Sequence, residues 1–492
     1  MAIRNFRSTI RGFSGEVPKR LNGADCKSAG LRLQWFESTP LHQPSLAAKR
    51  KAKVVRRSPA SAGRRRTVII LLRATAGKPI ESSWRLKNCS AWGIIQQAMR
   101  FSAALTTKTG AREAVEDLAQ QVNGHLGYGK VDLALLFVHP HFIPEMDSVV
   151  AAIRKLTGAR RLIGCTGAGI IGVCKEVEQL PAMSLLAAEL PGVEVTPFRV
   201  EESDLEEAAG PAYWHFQLEV QPETNPNFVL FGDPFSIPVV RLVEELTGAY
   251  PGAPMVGALA SGSRETGNNR LILDSAVYTD GAVGIALSGE VVLRTLVAQS
   301  CRPIGEPLVV TRADKNIIIE LAGQPPLAVL KDLLPNLPAR DQQLARTSLL
   351  LGCVINEYQE DFKHGDFLVR GLIGTDPRSG ALIVGDWIRP GQTVQFQVRD
   401  AETADKDLRR WLDREQSRRA GAAARGGLLF SCLGRGERMY GAPNHDIGVI
   451  RQMIGGIPLA GLFSNGEIGL VGDRAFVHGF TSVLGLFAEA QH

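Results

Sequence analysis

From Val131 onward the sequence passes three times through one pattern: an apolar strand, a loop, a helix, a second strand and a glycine-rich turn. Such a repeat constrains the fold strongly, because each copy is about one βαβ unit and cannot bury its apolar faces alone. The first copy places strands at 131–138 and 161–169 around a helix expected over 147–157. In that helix Val149, Val150, Ile153 and Leu156 share one face, Asp147 is placed to cap the start, and Gly158 to end it. The second copy has strands at 228–231 and 254–262 and a helix over 238–247, opened by Pro238 and closed by Gly248, with Val239, Leu242, Val243 and Leu246 as its buried stripe. The third has strands at 428–432 and 457–466 and a helix over 446–454 closed by Gly455.

A further β-rich stretch follows each turn, at 183–200, 275–297 and 475–487, and reads as antiparallel additions to each sheet. Between the second and third copies, 317–330 and the alternating 380–398 predict another α+β unit. The segment 400–410 predicts an exposed helix, and the Arg-, Ala- and Gly-rich 417–427 a loop. The fold class is therefore α/β to α+β, with repeated β-α-β units, Gly-rich turns and added antiparallel strands forming mixed sheets.

Charge divides the chain. Residues 1–98 carry 20 Lys and Arg against 4 Asp and Glu, a charge of +16, while the other 36 basic and 46 acidic residues leave the body at −10. Only the head therefore argues for nucleic acid or an anionic surface as partner. The head lacks any sustained period and mixes Arg and Lys clusters with Pro, Ser and Ala, which is disorder chemistry. Its residues 24–29 and 35–39 can also be read from hairpins, GCAGACUGUAAAUCUGC and GGUGGUUCGAGUCCACC, that resemble the anticodon and T arms of a tyrosine transfer RNA gene. On that reading 1–98 is a start placed too far upstream and Met99 the natural start, with a basic arm binding nucleic acid or a membrane surface as the alternative.

Seven scattered cysteines without a Cys-x-x-Cys pair indicate neither a zinc site nor a disulfide framework, so no metal or cofactor is expected. No stretch approaches the roughly 18 apolar residues of a membrane helix, and 68–72 is too short and too far from the start for a signal peptide. The expected location is cytoplasmic, without membrane insertion.

Six motifs in order carry a family resemblance: Gly164-Cys-Thr-Gly-Ala-Gly169, Phe231-Gly-Asp-Pro234, Gly257-Ala-Leu-Ala-Ser-Gly262, the stretch from Phe367 to Gly374, the stretch from Val384 to Asp400, and the stretch from Pro458 to Gly469. Together they resemble the FIST proteins over about 99–486. The resemblance implies a FIST N half, placed at 99–298, and a FIST C half, placed at 299–492. It also implies a sensory module that binds small ligands such as amino acids, found alone, joined to signalling domains, or in eukaryotic F-box proteins. A signalling partner protein is the implied output.

The turn after each second strand is where α/β sheets place ligands, since strand ends leave a crevice and N–H groups can meet an anion. Gly164, Cys165, Thr166 and Gly167 in the first copy, and Ser464, Asn465 and Glu467 in the third, are the candidate ligand residues. The glycines stand equally as turn formers, Cys165 as a small buried hydrophobe and Thr166 as a turn cap. Cys432 and Arg435 sit at the end of the third copy's first strand, where Arg435 either clamps a ligand carboxylate or pairs with an acidic neighbour such as Glu437. Glu467 could hold an ammonium or serve as a cap. No base and orienter accompany the cysteines, so no catalytic set is assigned; Cys-dependent acyl or thiol chemistry and a protein-binding scaffold remain the alternatives.

Overall fold

The computed structural model describes residues 98–417 and 423–490; the expectations for 1–97 and for 418–422 lie outside these residues. Repeat 1 comprises β1 (Arg100–Thr106), α1 (Ala111–Leu126), β2 (Leu133–Val138), α2 (Met146–Thr157), β3 (Arg161–Thr166), β4 (Gly169–Gly172), β5 (Lys175–Val177) and β6 (Met183–Glu189). Repeat 2 comprises β7 (Val193–Val200), α3 (Glu202–Glu207), α4 (Pro211–Gln217), β8 (Asn227–Gly232), α5 (Val239–Ala249), β9 (Met255–Leu259), β10 (Leu271–Leu273), β11 (Ala276–Tyr278) and β12 (Ala282–Gly289).

Repeat 3 opens with β13 (Val291–Gln299) and is then interrupted by an insertion. This contains β14 (Cys301–Pro303), β15 (Leu308–Asp314), β16 (Ile317–Leu321), α6 (Pro326–Asn336), α7 (Ala339–Ser348), β17 (Leu349–Val354), β18 (Phe367–Asp376), β19 (Ala381–Val384) and β20 (Thr393–Arg399). The repeat resumes with α8 (Ala401–Ser417), β21 (Gly426–Cys432), α9 (Glu437–Tyr440), α10 (His445–Ile454), β22 (Leu459–Ser464), β23 (Glu467–Val471), β24 (Arg474–His478) and β25 (Thr481–Glu489).

The three repeat sheets share one strand order: β1-β6-β2-β3-β10-β11, β7-β12-β8-β9-β23-β24 and β13-β25-β21-β22-β4-β5. In each repeat the two strands of the βαβ unit, β2 and β3, β8 and β9, and β21 and β22, pair in parallel, as the crossover requires. The hairpin after each turn does not stay in its own sheet. β4–β5 adds to β22 of repeat 3, β10–β11 to β3 of repeat 1, and β23–β24 to β9 of repeat 2, so the exchange closes a cycle.

Alternation along each strand then divides the core. Leu135 and Phe137, with Val229 and Phe231 and with Leu428 and Phe430, point into one shared centre. There the rings of Phe137, Phe231 and Phe430 meet edge to face at centroid distances of 5.5, 5.7 and 5.8 Å. The opposite faces are covered by each repeat's own helices, for example Val149, Val150 and Ile153 of α2 against Ala134, Leu136 and Val138. The glycines at 164, 257 and 461 occupy equivalent places: a Cβ there would lie 1.9, 1.9 and 1.8 Å from the carbonyl oxygens of Leu136, Leu230 and Leu429. Close strand approach, not a left-handed backbone, fixes these three glycines.

Some local expectations shift. α2 starts at Met146 after Glu145, with Asp147 inside its first turn, while Gly158 ends it in the left-handed region. α5 runs through Gly248 to Ala249, because buried Leu246 and Ala249 extend the apolar stripe and packing outweighs the roughly 1 kcal/mol disfavour of a helical glycine. α8 is not an exposed helix: Leu408 and Leu412 bury against Leu296, Ala298 and Leu484 and cover the third sheet. The insertion forms the expected α+β unit, in which β17 pairs with both β18 and β20 and closes six antiparallel strands into a small barrel.

Candidate functional site

The three glycine-rich turns meet. The Ser261 amide donates to the Thr166 carbonyl at 3.0 Å, and the Asn465 amide to the Leu259 carbonyl at 3.3 Å. The third link runs through a side chain, since the Ser261 hydroxyl accepts from the Ala168 amide at 2.9 Å and donates to the Phe463 carbonyl at 2.6 Å. Asn465 Nδ2 adds a bond to the Ala260 carbonyl at 2.8 Å. Thr166, Gly167, Ser464 and Asn465 are thus brought into one neighbourhood from distant sequence, and Ser261 joins them. Their amides are in use: Thr166 N–H donates to the Arg270 carbonyl and Gly167 N–H to the Val138 carbonyl, each at 3.0 Å. In this state the first-copy turn presents satisfied N–H groups, not an open anion cradle.

The ends of the first strands are also equivalent. His139 Nδ1 accepts from the His141 amide and Asp233 Oδ2 from the Phe235 amide, each at 3.2 Å, and the Cys432 sulfur accepts from the Gly434 amide. One backbone geometry therefore carries a histidine, an aspartate and a cysteine.

Repeat 3 departs from the other two in what it buries. Arg435 is fully buried, and its Nε and Nη2 grip both oxygens of Asp446 at 2.8 and 2.9 Å, while Nη1 donates to Ser300 Oγ at 2.6 Å and Nη2 to the Tyr440 hydroxyl at 2.7 Å. Burial pushes the Asp446 carboxyl up, but the adjoining Arg435 guanidinium outweighs it and holds Asp446 well below the usual carboxylate range. The carboxylate partner of Arg435 is thus Asp446, eleven residues on. Glu467 is equally buried and accepts from Ser464 Oγ at 2.7 Å and from Thr481 Oγ1 at 2.8 Å. Burial pushes its carboxyl up to about 7 despite these bonds.

Cys432, partly exposed, lies beside this group. Burial and the Glu467 carboxylate raise its thiol, whereas Arg399 and the amides of Gly434 and Phe480 act the other way. Phe480 has φ of +63°, a strained setting for an aromatic residue, and this backbone aims its N–H at the Cys432 sulfur and its carbonyl at the Ser300 amide. Cys165 is elsewhere: it sits in the central core, wholly buried, with its thiol driven far up by burial.

Repeat 1 also reaches into this site. Glu178 Oε1 accepts from the Glu437 amide at 2.7 Å and Glu176 Oε1 from the Ile447 amide at 2.8 Å, so the exchanged hairpin and its flank cap α9 and α10. Burial, with the Asp446 charge beside it, pushes the Glu176 carboxyl up to about 8. A surface hollow of about 660 Å³ along α8 shares no residue with the cluster, and its Lys406, Arg409 and Arg410 are paired with Glu402, Asp405 and Asp407. Among the described residues no three His, Cys, Asp or Glu converge as a metal site.

Ser261, Thr481, Asp446, Glu176 and Arg399 escaped the sequence reading. Ser261 had a signal, since it stands in the second copy's turn where Asn465 stands in the third; the others are joined only by strand exchange and insertion.

An uncharacterized protein of Mycobacterium tuberculosis is 38% identical over 391 residues, 80% of this chain and 100% of its own length. One of Mycobacterium bovis is 36% identical over 393 residues, 80% of this chain and 99% of its own. A solved cyanuric acid hydrolase covers 80% of this chain and 100% of its own at 7% identity, with a TM-score of 0.29, too low to transfer fold or chemistry. The FIST N domain matches residues 132–324 and the FIST C domain residues 326–470. FIST domains are associated with signal transduction and sensing. With both matched regions in order and covering most of the chain, this protein belongs to the FIST family.

Proposed function

We propose that this chain is a cytoplasmic sensor that binds a small anionic or zwitterionic metabolite, an amino acid being the simplest, at the strand ends of repeat 3. The observation that carries the reading is the buried polar cluster of Arg435, Asp446, Glu467 and Cys432, set where α/β sheets leave a crevice; the equivalent end of repeat 2 buries Asp233 with Asn269 and, among the described residues, no arginine. Burying such groups is expensive for stability, and a binding role accounts for their retention. Gly164, Cys165, Thr166 and Gly167 shape the adjoining turn and strand, while Ser464 and Asn465 hold the third turn. Glu467, near the midpoint of its titration at neutral pH, accepts a ligand ammonium by becoming charged. In this reading the two halves divide at 298/299, ahead of the boundary between the matched regions at 324/326, and output passes through a partner protein.

A thermal-shift screen of the full chain against amino acids and common metabolites tests this. A ligand at 100-fold above its Kd should stabilise the fold by about 2.7 kcal/mol. A cooperative melt that no compound moves contradicts the reading.

A further inference from the structure

Arginine guanidinia offer a carboxylate two parallel donors along the Nε/Nη2 edge, and Arg435 uses that edge on Asp446. Arg399, the last residue of β20, has the same edge turned inward, and neither Nε nor Nη2 has a protein acceptor although both atoms are buried. Arg154, Arg199 and Arg294 each leave only Nε unmatched and engage an acceptor through Nη2: the Arg160 carbonyl at 3.4 Å, Asp280 at 2.6 Å and Glu415 at 2.5 Å. Among the described residues no carboxylate pairs with Arg399.

Its surroundings hold the group in place. The guanidinium carbon lies 5.4 Å from the centroid of the Phe480 ring. Residue 434 must be small, since a Cβ there would come within 2.0 Å of Nη1 and 2.9 Å of Nη2, and it is glycine. The Arg399 charge acts on both Cys432 and Cys301, and Glu467 acts on the same Cys432, which places the guanidinium at the strand-end cluster. The residue as a whole is partly exposed while its Nε/Nη2 edge is covered, so a ligand reaches that edge by displacing part of the cover. An unmatched cationic fork at this depth is costly to desolvate, and a planar anion is its chemical complement.

We propose that Arg399 is the anion-binding residue of this site and that the ligand it takes carries a carboxylate, held bidentately by Nε and Nη2 beside Phe480 and Cys432. This deepens the sensor reading and rests on it. It also gives the insertion a role, because β20 supplies a clamp beside Arg435, whose own fork is taken by Asp446.

The test is calorimetric titration of the full chain with L-alanine, L-glutamate, acetate, succinate and inorganic phosphate, together with melting of the ligand-free variants. At least one carboxylate should bind; Arg399→Gln should weaken it about 10- to 100-fold and Arg399→Lys, which keeps the charge without the fork, about 10-fold. Arg399→Met, which removes the unmatched donors, should raise the ligand-free Tm. A lowered Tm in Arg399→Met shows the guanidinium satisfied within the protein and overturns the proposal. Unchanged affinity in Arg399→Gln overturns the role of Arg399 while the sensor reading stands, and preference for phosphate over every carboxylate overturns the ligand class. No binding of any of the five compounds by cooperatively melting wild type overturns the carboxylate assignment, and only a negative response to the wider metabolite screen removes the sensor reading itself.

Discussion

Repeats 1 and 3 share strand order, parallel pairing and the hydrogen bond at the end of the first strand, yet bury opposite chemistry behind it. After the aligned glycines Gly169 and Gly466, repeat 1 places the apolar Ile170 and repeat 3 the carboxyl of Glu467, both fully buried. Repeat 1 ends its first strand in a half-buried histidine whose charge burial disfavours, whereas repeat 3 follows Cys432 with a fully buried Arg435–Asp446 pair. The difference teaches that the backbone is a common frame and that the insertion-bearing repeat has been given the costly groups. A frame predicts equal responses to equal changes, and a site predicts unequal ones.

The largest expected effect lies in repeat 3. Asp446→Asn leaves Arg435 buried beside a weaker partner and should lose about 3–5 kcal/mol in urea unfolding. The paired change Arg435→Met with Asp446→Leu should recover most of it. If the single change cost no more than a surface substitution, the buried pair would not be the framework of the site.

Next come the glycines of the frame. Gly164→Ala, Gly257→Ala and Gly461→Ala each force a Cβ against a strand carbonyl, and each should cost about 1–3 kcal/mol or more. Equal losses within about 0.5 kcal/mol would support equivalent repeats, and one silent position would break the equivalence. Ser261→Ala strands the Ala168 amide and the Phe463 carbonyl where the turns meet and should cost about 1–2 kcal/mol.

The last effect is read as a slope in pH. Glu467 rises on folding from 4.5 to about 7, so the folded state holds its proton more tightly. That contribution is complete below about 4.5 and is lost as pH rises toward 7. The stability of wild type relative to Glu467→Gln should therefore fall by about 1.4 kcal/mol per pH unit across that window. The difference isolates Glu467 from His478, which burial lowers to about 4 and whose own contribution rises with pH up to 6.5. A flat difference would mean that Glu467 titrates normally.

The repeats were legible because their signals are local: the Val149, Val150 and Ile153 stripe, the glycine turns, and runs such as 428–432 all lie within one βαβ unit. The hairpin exchange was not, since a strand such as Gly169–Gly172 looks the same whether it pairs at home or with β22 nearly 300 residues on. The site divides in the same way. Arg435 and Glu467 stood out as charges beside glycine turns, whereas Asp446 was only the first residue of an expected helix and Arg399 fell just past the alternating 380–398. Only the fold makes the first a buried counter-ion and the second an unmatched fork.

Hydrogen exchange of the full chain, with and without whichever amino acid or carboxylate raises its Tm, tests the central claim most directly. The account predicts new protection concentrated at residues 399–401, 432–435, 464–467 and 479–482, with the equivalent strand ends at 139–141 and 233–235 unchanged. Protection at those first- and second-repeat ends instead, with the repeat 3 segments unchanged, would contradict it.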